Sequence, residues 1–177
     1  MSKESFLFAD HEAGHAVVAA YLRVPFRYAT NSRVTMAYEP RVRRFSFDRK
    51  TYSMHERSKA EIDRELHRQI RNQAIVTLGA RAAVDAMSAK YFPTDYVEQT
   101  YADDEKCLER CAEMMGVADF RSWREGLLKV AREIVSIPHV TSAILLVSVE
   151  LRLVGRMSAK QVRDELRRWQ PMNRRAA

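Results

Sequence analysis

His11-Glu12-Ala13-Gly14-His15 holds the residues of this chain best suited to chemistry. The stretch reads as helix, and on a helix positions i and i+4 lie one above the other on one face. Two imidazoles stacked this way can grip one divalent metal, with the intervening glutamate beside a water at that metal, the arrangement used by many zinc peptidases. Three protein ligands are the usual complement of such a site, so one is missing. The remaining histidines are His55, His67 and His139, and none stands in an extended HExxHxxGxxH pattern with His15. A glutamate or aspartate from another helix is the better candidate. HExxH also arises by chance, and the competing reading is a helix whose histidines merely face solvent. Gly14 speaks against that reading. Glycine inside a helix costs about 1 kcal/mol relative to alanine, and close approach of another element is one reason to keep it.

The elements that must position these side chains are mostly helical. A first helix is expected over residues 5–22, closed by Pro25. Residues 32–38 and 42–47 alternate as a short strand pair around a turn at Glu39-Pro40. Ser58-Lys59-Ala60-Glu61 is a capping box opening a long helix to about residue 87. Residues 91–101 read as irregular, with Pro93 as a breaker, and Ala102-Asp103-Asp104-Glu105 then starts a helix whose acidic first turn suits the helix dipole. That helix stops near Gly116, and Asp119 caps the next, which runs to about residue 137. Pro138 kinks it or begins a new helix lasting to about residue 154, with Gly155 as C-cap. Ser158-Ala159-Lys160-Gln161 is a second capping box, opening a helix to residue 169 ahead of a frayed basic tail at 171–177. The expected fold is one domain over residues 1–177, mainly α with a small β-hairpin or sheet. A zincin-like HExxH helix, a strand region and a second long helix fill residues 1–90, and a helical part fills residues 91–170.

Composition narrows the function classes. An apolar share of 46% with 30% charged residues fits a globular chain rather than a disordered one. The longest apolar candidate, residues 140–149, contains Thr141 and Ser142 and is too short to span a bilayer. The N-terminus lacks the three-part plan of a secretory signal, so a cytoplasmic location is expected. Cys107 and Cys111 lie four apart on a helix, a spacing that could add soft ligands but is better read as packing thiols in a reducing compartment. The net charge of +7 comes from arginine. No basic motif interleaved with aromatics accompanies it, so a solvated surface is favoured over nucleic acid.

The sequence also carries a family resemblance. Residues 9–18, Ala-Asp-His-Glu-Ala-Gly-His-Ala-Val-Val, are similar to the metal-binding helix of FtsH-type AAA zinc proteases, which typically reads HEAGHA followed by aliphatic residues. Leu78-Gly79-Ala80-Arg81-Ala82-Ala83 resembles the family's LGGRAAE segment. Asp103-Asp104, followed by Ala112, Met114 and Met115, resembles its Asn-Asp helix start, and residues 156–162 resemble its closing segment. The resemblance spans nearly the whole chain but only the protease half of the family. It implies that His11, His15 and Asp104 hold Zn2+, with Asp103 the competing ligand if the register shifts by one. It further implies that Glu12 is the general base. Departures are Val84 where glutamate is usual, Ala80 for a glycine, and Gln99-Thr100-Tyr101-Ala102 in place of a glycine-containing loop.

No GxxxxGK[ST] loop is present, which excludes ATP binding of the Walker type by this chain. The resulting expectation is a zinc metalloendopeptidase that cuts extended or unfolded polypeptides, served where needed by a separate ATPase. Residues 34–38 could offer a strand edge to the substrate. The alternative is a catalytically inactive, metal-stabilised peptide-binding or interaction module. A further rival is a nucleic-acid or anionic-surface binder using Arg163, Arg167, Arg168, Arg174 and Arg175.

Overall fold

The computed structural model describes residues 3–30 and 59–170. The expected strand pair at 32–38 and 42–47, the edge at 34–38, His55, Ser58 of the first capping box and the tail at 171–177 lie outside the described residues.

Helix α1 spans Lys3–Tyr21 and runs through the interior. From Ala9 to Ala20 every residue is buried, because α1 is packed on several sides by other helices, chiefly α2 (Lys59–Met87), α6 (Pro138–Val154) and α7 (Ala159–Arg168). A helix covered all round has no room for a large polar face, and Ala13, Ala16, Ala19 and Ala20 meet that demand with small side chains. It ends in a Schellman motif: Val24 N–H donates to the Ala19 carbonyl at 2.8 Å and Arg23 N–H to that of Ala20 at 3.3 Å. Arg23 takes the left-handed position, φ 58°, usually given to glycine.

Gly14 explains how closely α2 approaches. A Cβ built there would fall 2.6 Å from the Gly79 carbonyl oxygen and 2.8 Å from Ala80 Cα. Gly79 faces it, and a Cβ at Gly79 would meet Val18 Cγ2 at 2.8 Å. The two glycines let the helices cross with backbone nearly touching backbone.

Beyond α2 the chain makes a 3-10 turn at Ala89–Tyr91 and then helix α3, Thr94–Gln99, capped by Pro93. The irregular stretch expected at 91–101 is therefore partly helical. Pro93 does break the preceding element, but it also starts the next, and Val97 and Tyr101, spaced i and i+4, pack on Leu7 and Val84 in a small core of their own. Helix α4 (Ala102–Met115) stops at Gly116, φ 64°. Helix α5 (Phe120–Val135) is capped by Asp119, whose carboxylate accepts from Ser122 N–H at 3.0 Å. Pro138 occupies the first turn of α6 and begins a new helix bent 86° from α5. The Ser158–Gln161 capping box closes both of its hydrogen bonds at the start of α7.

Among the described residues the fold is thus mainly helical with one small sheet, as the sequence suggested in outline. The observed sheet uses residues with no strand signal. Strand β1 (Tyr28–Thr30) pairs antiparallel with β2 (Arg156–Ser158), Ala29 opposite Met157. It ties the end of α1 to the start of α7. Among the described residues, no single helix is long and apolar enough to cross a membrane.

Candidate metal centre

The middle of α1 and the first turn of α4 meet at a buried cluster. His11, Glu12 and His15 are 6%, 5% and 6% exposed. Asp104 enters from the N-terminal turn of α4, where the helix dipole favours a carboxylate. His11 Nε2 and His15 Nε2 stand 3.1 Å apart. Asp104 Oδ2 lies 3.5 Å from His11 Nε2, and Asp104 Oδ1 lies 3.3 Å from His15 Nε2. Ligands about 2.0–2.1 Å from one tetrahedral centre are about 3.3 Å from each other; the His11–His15 separation is close to such an edge, and the two rings face different oxygens of Asp104. Asp104 Oδ2 is buried and has no hydrogen-bond partner among the described residues. The three side chains form a group that could hold a metal ion.

Helical phase sets the two neighbouring aspartates apart. The Asp103 side chain is 97% exposed and pairs with Lys106 at 3.0 Å, turned away from the histidines. Of the other histidines described, His67 is on the exposed face of α2, and His139 lies beside Tyr21 with ring centroids 6.3 Å apart. Neither joins the cluster.

The two imidazoles are held differently. His15 Nδ1 donates to the Val76 carbonyl at 2.9 Å, which aims Nε2 at the cluster. Val76 sits on α2 just before the Gly79 crossing, so the glycine contact sets this bond. His11 is positioned by packing. Its ring stacks on Tyr101 at 5.7 Å and 26°, and meets His15 edge-on at 4.7 Å. The Arg81 guanidinium covers the Tyr101 ring at 4.9 Å and pairs with Glu98 at 2.8 Å. Glu105, next to Asp104, takes a forked ion pair from Arg124 of α5, with Arg124 Nε 2.9 Å from Oε2. These pairs fasten α2, α3, α4 and α5 around the carboxylate. Tyr101 and Arg81 carry no motif that marks them. The sequence offered Tyr101 only as part of an altered loop and Arg81 only as part of a segment resembling a family.

The electrostatics follow from proximity in a dry site. Burial and the neighbouring His15 charge push the His11 ring down to about 4, against a smaller pull from Asp104. Burial also works against charge on His15, but Asp104, Glu12 and the Val76 carbonyl outweigh it and raise that ring to about 9. Together these neighbours favour a second ring proton on His15, at the Nε2 that faces His11 and Asp104.

Cys107 follows Asp104 by one turn, with Sγ 3.5 Å from Thr77 Oγ1. Hydrogen bonding from the Cys111 thiol draws the Cys107 thiol down to about 6 against the effect of burial, aided by Thr77. Both thiols are free, and Cys111 is part of the main core.

In comparisons with known proteins, no family model, no curated protein and no solved structure matches this chain.

Proposed function

We propose that the chain is a zinc-dependent metallopeptidase acting on extended polypeptide, with His11, His15 and Asp104 as the ligands and Glu12 as the general base. The observation that carries this reading is the convergence of two imidazoles of one helical turn and a distant carboxylate at 3.1–3.5 Å, with Glu12 buried beside them. The resemblance of residues 9–18 to the metal helix of FtsH-type proteases supports it. His11, His15 and Asp104 would hold the zinc, which would supply the Lewis acidity needed to activate water near neutral pH and polarise a scissile carbonyl. Glu12 takes the proton from the attacking water and delivers it to the leaving amine. The Val76 carbonyl fixes the tautomer of His15, and Tyr101 fixes the plane of His11. The substrates that suit such a site are segments already extended, or presented by an ATPase.

Loading the protein with zinc and assaying casein or an unstructured peptide tests the proposal, with Glu12→Gln alongside. The parent should cleave, and the variant should retain zinc stoichiometrically while losing turnover by at least about 100-fold, the scale of general-base contributions. Full turnover in Glu12→Gln would refute the assigned base. The deep burial of His11, Glu12 and His15 favours one second reading, a metal-stabilised interaction module without catalysis. Tight zinc binding by a parent protein that cleaves neither substrate would select it.

A further inference from the structure

A second feature of α1 lies off the histidine face. Phe6 and Asp10 share one side of the helix at i and i+4, while His11 and His15 share another. Against that side, Phe6, Asp10, Met87, Ser88, Tyr91 and Phe92 line an open cavity of about 410 Å³. This volume falls within the range of small-molecule sites.

Its walls are three aromatic rings and a thioether, and two polar groups are set into it. Ser88 is 5% exposed, and its Oγ is buried with no hydrogen-bond partner among the described residues. A hydroxyl left so costs free energy unless something meets it. Asp10 is 8% exposed, and its Oδ1 accepts from Ser148 Oγ of α6 at 2.5 Å. A carboxylate can accept about four hydrogen bonds, so this contact leaves acceptor capacity open to the cavity. Two of the lining rings already lie against cations. The Arg152 guanidinium lies 4.4 Å from the Phe6 ring centre, and the Lys90 ammonium 4.9 Å from that of Tyr91.

We propose that this cavity is a binding site for a small primary amine carried on an aryl or branched-alkyl body. The ammonium seats between the Asp10 carboxyl and Ser88 Oγ, and the apolar body fills the space between Phe6, Met87, Tyr91 and Phe92. An ammonium brings three donors to two acceptor groups, which a neutral apolar ligand cannot do. A carboxylate in the same place meets the Asp10 charge. Arg152 and Lys90, stacked on the Phe6 and Tyr91 rings, disfavour a second positive charge beside those rings, so the fitting ligand is a monoamine. The site does not depend on a metal or on peptide hydrolysis.

Isothermal titration of the full chain with 2-phenylethylamine, 2-phenylethanol and phenylacetate, with and without zinc, tests this. The amine should bind at least about tenfold more tightly than either analogue, the scale of a hydrogen bond to a charged group, and equally with or without zinc. Ser88→Ala should weaken amine binding by roughly fivefold, as loss of one neutral partner does. Asp10→Asn should remove the preference for amine over alcohol. Because Asp10 is tied to Ser148, Tyr91→Ala provides a variant at an exposed position that leaves the buried network in place, and it should weaken all three compounds together. Equal affinity for amine and alcohol, no binding of the amine at millimolar concentration, or unchanged affinity in both Ser88→Ala and Tyr91→Ala would overturn the assignment.

Discussion

Replacing Gly14 with alanine should damage both the fold and the metal centre, and the size of the effect can be worked out. Alanine is the better helix former by about 1 kcal/mol. At this crossing, however, the new methyl would meet Gly79 O at 2.6 Å, Ala80 Cα at 2.8 Å and Ala83 Cβ at 2.8 Å. All three are backbone or backbone-attached atoms, so no rotamer change relieves the overlap, and α1 and α2 must part by roughly 1 Å to restore ordinary contact near 3.5 Å. Overpacking of this kind costs about 1–3 kcal/mol, and contact with three rigid atoms belongs at the upper end. The net expectation is a loss of about 1–2 kcal/mol after the propensity gain. The bond from His15 Nδ1 to Val76 O, 2.9 Å long, spans the same interface. A shift of roughly 1 Å takes it out of hydrogen-bonding range, and loss of such a partner typically lowers metal affinity by about 10–100-fold. Gly126 is the control: it is exposed on α5, and a methyl added there would have nothing within 4 Å, so Gly126→Ala should stabilise by about 1 kcal/mol. Urea unfolding midpoints at constant slope measure the stabilities, and chelator competition measures zinc affinity. A Gly14→Ala protein as stable as the parent, with unchanged zinc affinity, would refute the reasoning.

Metal binding should weaken as pH falls through neutrality and release about one proton per ion near pH 7.5, because the proton held by His15 up to about 9 sits where the metal would. Titration calorimetry in buffers of different ionisation enthalpy checks this, and absence of proton release would contradict it. Without metal, stability should be greatest near pH 6–7 by urea midpoint: the raised His15 stabilises fully below its unfolded value and loses that contribution as pH rises toward 9, while the lowered His11 favours unfolding as pH falls from about 6.5 toward 4. A midpoint that climbs steadily from pH 6.5 to 9 would show the sign to be wrong. Iodoacetamide at pH 7 should label Cys107 well before Cys111, with the rate falling below about pH 6; equal labelling of the two by peptide mass spectrometry would count against the hydrogen-bonded pair.

Much of the helical framework was legible because its signals are local. Asp119, Gly116, Pro138, Gly155 and the Ser158–Gln161 box each act within one turn, and each marks the boundary found. Helix α3 was missed because six residues carry little periodicity of their own, and it is held by Val97 and Tyr101 packing on distant Leu7 and Val84. The β1–β2 pair was missed for a related reason: two three-residue strands from opposite ends of the chain leave no alternation to read. Within the candidate site, the histidine pair follows from helical spacing alone, and Gly14 signalled the close helix crossing. Asp104 came through resemblance, and only the phase of α4 separates it from Asp103. The Val76 carbonyl is backbone, which a sequence cannot mark as special, and the stacking of Tyr101 on His11 depends on how α3 and α4 fold against α1.

The most direct test of the proposed centre is X-ray absorption at the zinc edge on the zinc-loaded chain and its Asp104→Ala variant. The parent should show two imidazole nitrogens at about 2.0–2.1 Å and a carboxylate oxygen at about 2.0–2.2 Å, with the carboxylate contribution lost in the variant. Sulfur scattering at about 2.3 Å, or a shell of oxygen alone that Asp104→Ala leaves unchanged, would contradict it.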